Sequence, residues 1–343
     1  MNSNLIARMK TEKYDNVHFF HDDEQDLTAV VAIHSTKFGP AIGGARFKEY
    51  ENNDSAITDV LNLAQGMTYK AIIHDLPHGG AKAVIIKNRN NIDRTAFFSK
   101  YAEFVDSLQG KYITAEDSGT LNSDMHIIKK RTPYVLGTGL GSPSPSTALG
   151  IKQAIVAALE TYLNKDLSSS TIAIQGIGNV GEELCKLLTN QGAQVIISDI
   201  NASKVAEVSK KYGAKAVSPE EIIGQTCDLF APCALGGSIN IRSLDILKAK
   251  IICGGANNQV YTPDLYDILH ERKILYVPDY LANGGGLIKV AGEYANEPEK
   301  KIREKVENIY YKTQEIILQS LKQDCSANDI ANKLVIARLT NKN

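Results

Sequence analysis

Residues 171–199 constrain this chain most. Thr171-Ile-Ala-Ile-Gln175 reads as an apolar β-strand, Gly176-Ile177-Gly178-Asn179-Val180-Gly181 follows at once, and Leu184, Leu187 and Leu188 mark one face of a helix over Glu182 to Asn190. A second strand, Gln194-Val-Ile-Ile-Ser198, ends in Asp199, eighteen residues past Gly181. A Gly-x-Gly-x-x-Gly run alone is weak evidence. With a strand before it, a helix after it and an acid closing the next strand, it is the fingerprint of a Rossmann-type dinucleotide-binding unit. The glycines permit a tight turn and close approach to a pyrophosphate, whose charge is met by amides at the helix start.

Asp199 bears on which dinucleotide is bound. A carboxylate at this strand end accepts hydrogen bonds from both ribose hydroxyls of NAD and repels the 2′-phosphate of NADP. No arginine follows in Ile200-Asn-Ala-Ser-Lys204, and Lys204 is the one nearby cation, so NAD is the expected cofactor. Cys227-Asp-Leu-Phe-Ala-Pro-Cys233 and Lys250 to Asn258 each read as a strand emptying into a small-residue or polar loop, which continues a doubly wound pattern. Asn257 and Asn258 either present amides to the ligand crevice or serve as turn residues. Tyr276 to Val290 repeats the design through the triple glycine Gly284-Gly-Gly286, and Glu299 to Leu321 is expected to form one long helix.

The first half carries a different signal. Gly66-Met67-Thr-Tyr-Lys70 and Gly79-Gly-Ala-Lys82 place two lysines in short, mostly uncharged segments, where solvated lysines are not expected. If they converge, each ammonium disfavours charging of the other, so that one can act as a base near neutral pH while the other grips a carboxylate. Leu27 to His34 and Ala83 to Lys87 read as strands. Asp54 to Gly66 has helical spacing, which sets Lys70 on or just beyond a last helical turn. A helical segment over Arg94 to Leu108 precedes the short strand Tyr112-Ile-Thr-Ala-Glu116-Asp117. Its two acids must point to opposite faces, so one can enter a cleft, unless Asp117 merely starts the Ser-Gly turn. His74 and His78 superficially offer paired metal ligands, but Pro77 spoils the helix their spacing requires, and no metal is expected.

Length and composition frame these readings. With 343 residues, 43% hydrophobic, the chain has ample core for two domains. A formal net charge of −1 without a long basic run argues against nucleic acid as the main ligand. Five scattered cysteines fit free thiols in a reducing compartment, and there is neither a signal-peptide run at Met1 to Lys10 nor a membrane span, so a cytoplasmic protein with no membrane partner is expected. Gly and Pro punctuation from Gly137 to Thr147 marks a linker, after which Thr147 is a plausible helix N-cap. The expected fold is α/β with two domains and a cleft between them. An N-terminal α/β substrate-binding and catalytic domain spans 1–139, a Rossmann-type doubly wound NAD-binding domain spans 140–317, and the segment 318–343 is free to pack back on the first.

Gly66-Met-Thr-Tyr-Lys70, Gly79-Gly-Ala-Lys82, Thr114-Ala-Glu-Asp117, Gly176-Ile-Gly-Asn-Val-Gly181, Ala231-Pro-Cys-Ala-Leu-Gly236 and Ala256-Asn-Asn-Gln259 stand in the order seen in the glutamate, leucine, phenylalanine and valine dehydrogenase family. The resemblance runs from Ala29 to about Tyr311 and is greatest to the leucine enzymes. It implies NAD-dependent, reversible oxidative deamination of an L-amino acid to a 2-oxo acid and ammonium. By the same resemblance Lys82 is the general base and Asp117 shuttles protons. Lys70 binds the substrate carboxylate with Asn258; Ile42, Gly43, Met67, Ala115, Leu287 and Val290 line the substrate; and Gly176 to Gly181, Asp199, Thr147, Ala234, Ala256 and Asn257 hold the cofactor. A homo-oligomer is implied as well.

Ile42 occupies the place where the glutamate enzymes resemble one another in carrying a lysine, so a glutamate substrate would bury an unpaired charge here. Ala115 is similar to the leucine enzymes and Leu287 to the phenylalanine enzymes, which leaves a branched-chain substrate favoured and an aromatic one as the alternative. Leu136 in place of a pocket threonine, a shortened linker and Gly284 for an alanine depart from the leucine pattern. Two readings from other classes are weighed. A 2-hydroxy-acid dehydrogenase needs a His or Arg pair that is not found, and a non-catalytic NAD-binding regulator has no use for Lys70, Lys82 and Asp117 together.

Overall fold

The computed structural model describes residues 5–87, 92–139 and 141–341, and divides into two compact units, Met1–Ser142 and Pro143–Asn343. Residues 1–4 of the amino terminus and Leu140 of the linker lie outside the described residues.

The first unit runs α1 (Leu5–Glu12), β1 (Asn16–Asp22), β2 (Leu27–Ser35), β3 (Ala41–Lys48), α2 (Asn53–Ile73), β4 (Gly79–Ile86), α3 (Arg94–Ser107), β5 (Tyr112–Glu116) and α4 (Asn122–Lys129). Its sheet has the order β1-β2-β4-β3-β5, with β3 parallel to both β4 and β5 and β2 antiparallel to its neighbours. Alternation along the strands divides the side chains between two layers. Ala41, Ala45 and Phe47 of β3 and Ala81, Ala83 and Ile85 of β4 pack with Phe97, Phe98 and Tyr101 of α3. On the other face Val30, Ala32 and Val84 pack with Ala56, Val60, Leu61 and Ala64 of α2. Ile42, Gly44 and Arg46 of β3 and Gly80 and Lys82 of β4 alternate onto this α2 face.

Helix α2 opens on a capping box at Asn52 and Ser55 and continues through Gly66 to Ile73. The helical spacing read from the sequence runs to Gly66 and leaves Lys70 either on the last turns or just beyond them. Burial of Thr68, Ala71, Ile72 and Ile73 carries it on for two more turns. Lys70 therefore lies in the last turn.

The second unit runs α5 (Ser144–Ala158), β6 (Thr171–Gln175), α6 (Asn179–Thr189), β7 (Gln194–Ser198), α7 (Ala202–Tyr212), β8 (Lys215–Ala216), β9 (Leu229–Pro232), α8 (Ile241–Ile246), β10 (Ile251–Ile252), α9 (Leu265–Glu271), β11 (Leu275–Tyr276), α10 (Asp279–Ala282), α11 (Gly285–Tyr294), α12 (Glu299–Glu307), α13 (Ile309–Gln323) and α14 (Ala327–Thr340). All pairings in its sheet, ordered β11-β10-β9-β6-β7-β8, are parallel. The strand order reverses between β6 and β9, and at such a switch point the carboxyl ends of an open sheet leave a crevice.

Three local expectations need correction. Thr147 is not an N-cap: α5 begins at Ser144, with Pro145 in the first turn where a missing N–H costs nothing, and the Thr147 hydroxyl donates to the Pro143 carbonyl. The expected long helix from Glu299 is broken at Asn308, and its halves have different main neighbours, α11 and α5 for α12, α5 and α14 for α13. The carboxy-terminal segment is grouped with the second unit, where α14 packs on α13 and β11 and Tyr280 donates to the Asn332 side chain.

Candidate active site

In the first unit the two lysines flank a backbone contact between helix and sheet. A Cβ at Gly80 would lie 2.0 Å from the Thr68 nitrogen, so only glycine lets α2 seat this deeply on β4. Thr68 is two residues before Lys70, and Gly80 two residues before Lys82. Lys82 is buried on the α2 face, its side chain 7% exposed, and Lys70 is half-buried.

Asp117 lies one residue past β5. Its backbone does start a turn, with the Thr120 hydroxyl accepting from its N–H and Gly119 at φ +84°. Its side chain is nevertheless turned to Lys82, whose Nζ is 3.0 Å from Oδ2, whereas Glu116 is exposed. Gly44 makes this possible: a Cβ there would meet the Glu116 carbonyl at 2.8 Å and the Asp117 Cβ at 2.9 Å. The structure thus brings Lys82 and Asp117 together.

A second cation shares the carboxylate. Arg46 Nε donates to Asp117 Oδ2 at 3.1 Å, and its Nη1 donates to Asp59 Oδ2 at 3.0 Å; Tyr50 donates to the same Asp59 oxygen at 2.7 Å. Burial alone would push the Asp117 carboxyl up, but the charges of Lys82 and Arg46, with hydrogen bonds from Lys82 and the Ser118 amide, outweigh it and hold it at about 2. Asp117 is therefore held ionised at neutral pH in the resting protein.

This has a pH signature. A carboxylate held at about 2 when folded and near 3.9 when unfolded adds stability that is complete above about pH 4 and is lost as pH falls through about 2, roughly 2 kcal/mol in all. Urea midpoints taken between pH 5 and pH 2 are expected to fall more steeply for the wild type than for Asp117→Asn. Parallel curves would show that Asp117 does not titrate in this window.

Ile42 is buried, as are Gly43 and Gly44, while Met67 and Ala115 are partly exposed. In the second unit, Leu287 is buried and Val290 half-buried on α11, and Asn258 is exposed in the loop after β10. Asn258 takes a left-handed conformation at φ +53°, which asparagine tolerates, and its N–H donates to Asp279 Oδ2. Asn257 Oδ1 accepts from Asn283, whose amide also reaches the Gly255 carbonyl. This side of the crevice is thereby stiffened.

The glycine turn fits a dinucleotide. Gly176 sits at φ +95°, where a Cβ would meet Ala234 at 2.7–2.8 Å, and a Cβ at Gly181 would lie 2.0 Å from the Gly176 carbonyl. Around Gly178, by contrast, a Cβ would meet nothing within 4 Å, and α6 begins behind it with no side-chain cap on its first amides. An open, uncapped helix start is a cradle for an anion. Asp199 is held facing this turn: Oδ2 accepts from the Ile177 N–H at 2.7 Å and Oδ1 from the Asn201 N–H. Lys204 is committed to Glu182 at 2.7 Å and to Glu207 at 3.5 Å.

With both sites described, the comparisons decide the family. Residues 13–134 match the Glu/Leu/Phe/Val dehydrogenase dimerisation domain, and residues 139–203 and 198–342 match the Glutamate/Leucine/Phenylalanine/Valine dehydrogenase domain. The chain belongs to the Glu/Leu/Phe/Val dehydrogenase family. By that membership it is an amino acid dehydrogenase, an oxidoreductase acting on CH–NH2 groups. It is 41% identical to the leucine dehydrogenase of Geobacillus stearothermophilus, over 98% of this chain and 93% of that one. It is 35% identical to the phenylalanine dehydrogenase of Caldalkalibacillus thermarum, over 95% of this chain and 91% of the other. The crystal structure of L-tryptophan dehydrogenase from Nostoc punctiforme superimposes with a TM-score of 0.84 at 39% identity, covering 98% of this chain and 99% of that one.

Within this family member, sequence reasoning missed Arg46, Asp59, Tyr50, Asp279 and Asn283. Arg46 carried a signal, since it stands four residues beyond Ile42 and alternation aligns it with Gly44, but the Gly-Gly pair conceals β3 as a strand. Among the described residues no cluster of His, Cys, Asp and Glu could hold a metal, and no helix is long and apolar enough to cross a membrane.

Proposed function

We propose that the protein catalyses NAD-dependent oxidative deamination of a branched-chain L-amino acid, leucine, valine or isoleucine, to its 2-oxo acid and ammonia, reversibly. The observation that carries the reading is the Lys82–Asp117 pair at 3.0 Å, buried on the same sheet face that α2 covers with Lys70 in its last turn. In this reading Lys70 and Asn258 grip the substrate carboxylate and so orient the amino-bearing carbon. NAD, held by Gly176 to Gly181 and Asp199, supplies the acceptor for the hydride leaving Cα. Asp117, ionised at rest, takes a proton from the substrate ammonium as the hydride leaves; Lys82 takes a proton from the water that attacks the resulting iminium carbon. Asp117 then returns its proton to the carbinolamine nitrogen and takes up the hydroxyl proton as the C–N bond breaks, so that ammonia leaves and the 2-oxo acid remains.

Substrate choice rests on the wall. Ile42 is only 1% exposed and offers an acidic side chain no cation, so glutamate is disfavoured while an aliphatic chain gains contact. A second reading, an aromatic amino acid, is favoured by the near-equal identity to the L-tryptophan enzyme and by Leu287. NADH formation across a panel of L-amino acids is the deciding measurement. Leucine, valine and isoleucine are expected to be turned over fastest, with the reverse reaction requiring ammonium. Faster turnover of phenylalanine or tryptophan would overturn the aliphatic assignment, and glutamate as best substrate would overturn the argument from Ile42. The family's dimerisation domain over residues 13–134 supports a homo-oligomer.

A further inference from the structure

Asp117 is touched by two cations at the same oxygen, the Lys82 ammonium and the Arg46 guanidinium. Lys82 and Asp117 exchange protons with substrate in the proposed reaction, on which the present inference rests. Each exchange changes the charge that attracts one to the other. A carboxylate tied to Lys82 alone would be free to rotate away whenever that attraction weakened. Arg46 stays charged throughout, and its planar fork can serve two carboxylates at once.

The geometry shows such a division. Arg46 Nε meets Asp117 Oδ2 at 3.1 Å while Nη1 meets both oxygens of Asp59, at 3.3 and 3.0 Å. Asp59 belongs to α2 and is itself held by the Tyr50 hydroxyl at 2.7 Å. The Arg46 side chain is 18% exposed and that of Asp59 22%, so water competes weakly for either. The chain Tyr50, Asp59, Arg46, Asp117 thus joins the carboxylate to the helix that carries Lys70.

We propose that Arg46 is a positioning residue: anchored on Asp59 and Tyr50, it fixes the Asp117 carboxylate against Lys82 through the changes of charge that turnover brings. It need not touch the substrate. The groups coupled to Asp117 are Lys82 from β4, Arg46 from β3, Tyr112 from β5 and Tyr50 after β3, with Asp59 of α2 beyond Arg46.

Arg46→Met, Arg46→Lys and Asp59→Asn test this in the full chain, with thermal midpoints recorded alongside kinetics. Arg46→Met is expected to lose about tenfold in kcat, with KM for amino acid and NAD within about twofold of the wild type. Arg46→Lys should recover only part, because an ammonium does not span two carboxylates in the way the fork does. A carbon-13 titration of the Asp117 carboxyl, which needs no turnover, should show it rising by at least about one pH unit in Arg46→Met. Should that variant fail to fold, Asp59→Asn keeps the cation and removes its anchor, and a smaller loss in kcat alone is expected. Unchanged kcat with an unchanged carboxyl titration would overturn the proposal. So would a raised KM for the amino acid at full kcat, which would make Arg46 a substrate-binding group. A wild-type protein that oxidises no amino acid would sink the proposed reaction, while the titration would still decide whether Arg46 holds Asp117.

Discussion

Lys82→Ala is expected to lower kcat by roughly two to four powers of ten, the usual cost of losing a general base, with NAD affinity nearly unchanged. The separation follows from where the groups lie. Lys82 is buried in the sheet of the first unit, whereas the glycine turn and Asp199 belong to the second. Removing Lys82 also does not orphan Asp117, because Arg46 remains 3.1 Å from its Oδ2. The fold should therefore survive, and the loss should appear in the chemical step. Lys70→Ala, at the end of α2, should instead raise KM for the amino acid most. Steady-state kinetics of both variants settle the matter: equal increases in KM with kcat preserved would reduce both lysines to binding groups.

Asp199→Ser is expected to cost about one to two powers of ten in kcat/KM with NAD, since hydrogen bonds to a charged acceptor contribute ~1.5–3 kcal/mol. Efficiency with NADP should rise or hold, because the repulsion of a 2′-phosphate disappears. The gain should stay modest for a reason visible around α6 and α7. Lys204, the nearby cation that could meet a phosphate, is engaged by Glu182 and Glu207. Kinetics with both cofactors provide the check. A wild-type enzyme that already uses NADP as well as NAD would refute the role given to Asp199.

How much of this was legible in advance depends on how local the chemistry is. The strand, glycine turn, helix and Asp199 were legible because each is written in consecutive residues, and β6 and β7 fall where the apolar runs place them. Lys70, Lys82 and Asp117 stood out by type, but the meeting of Lys82 with Asp117 depends on the order β4-β3-β5, which no local pattern encodes. The partners of Asp117 and Asn258 were illegible for the same reason: Arg46 and Asp279 are distant in sequence from the groups they hold. The break at Asn308 was misjudged because periodicity does not register a single interrupting residue.

The seating of α2 on Gly80 bears on how such a chain can diversify. Helix and strand touch there through main-chain atoms, with the Gly80 Cα position pressed against the Thr68 nitrogen. A side chain at position 80 would force helix and strand apart, and with them the segments that carry Lys70 and Lys82. In the proposed reading, substrate choice then falls to side chains such as Ile42, Met67 and Ala115, while the backbone seat of the helix fixes the frame around them.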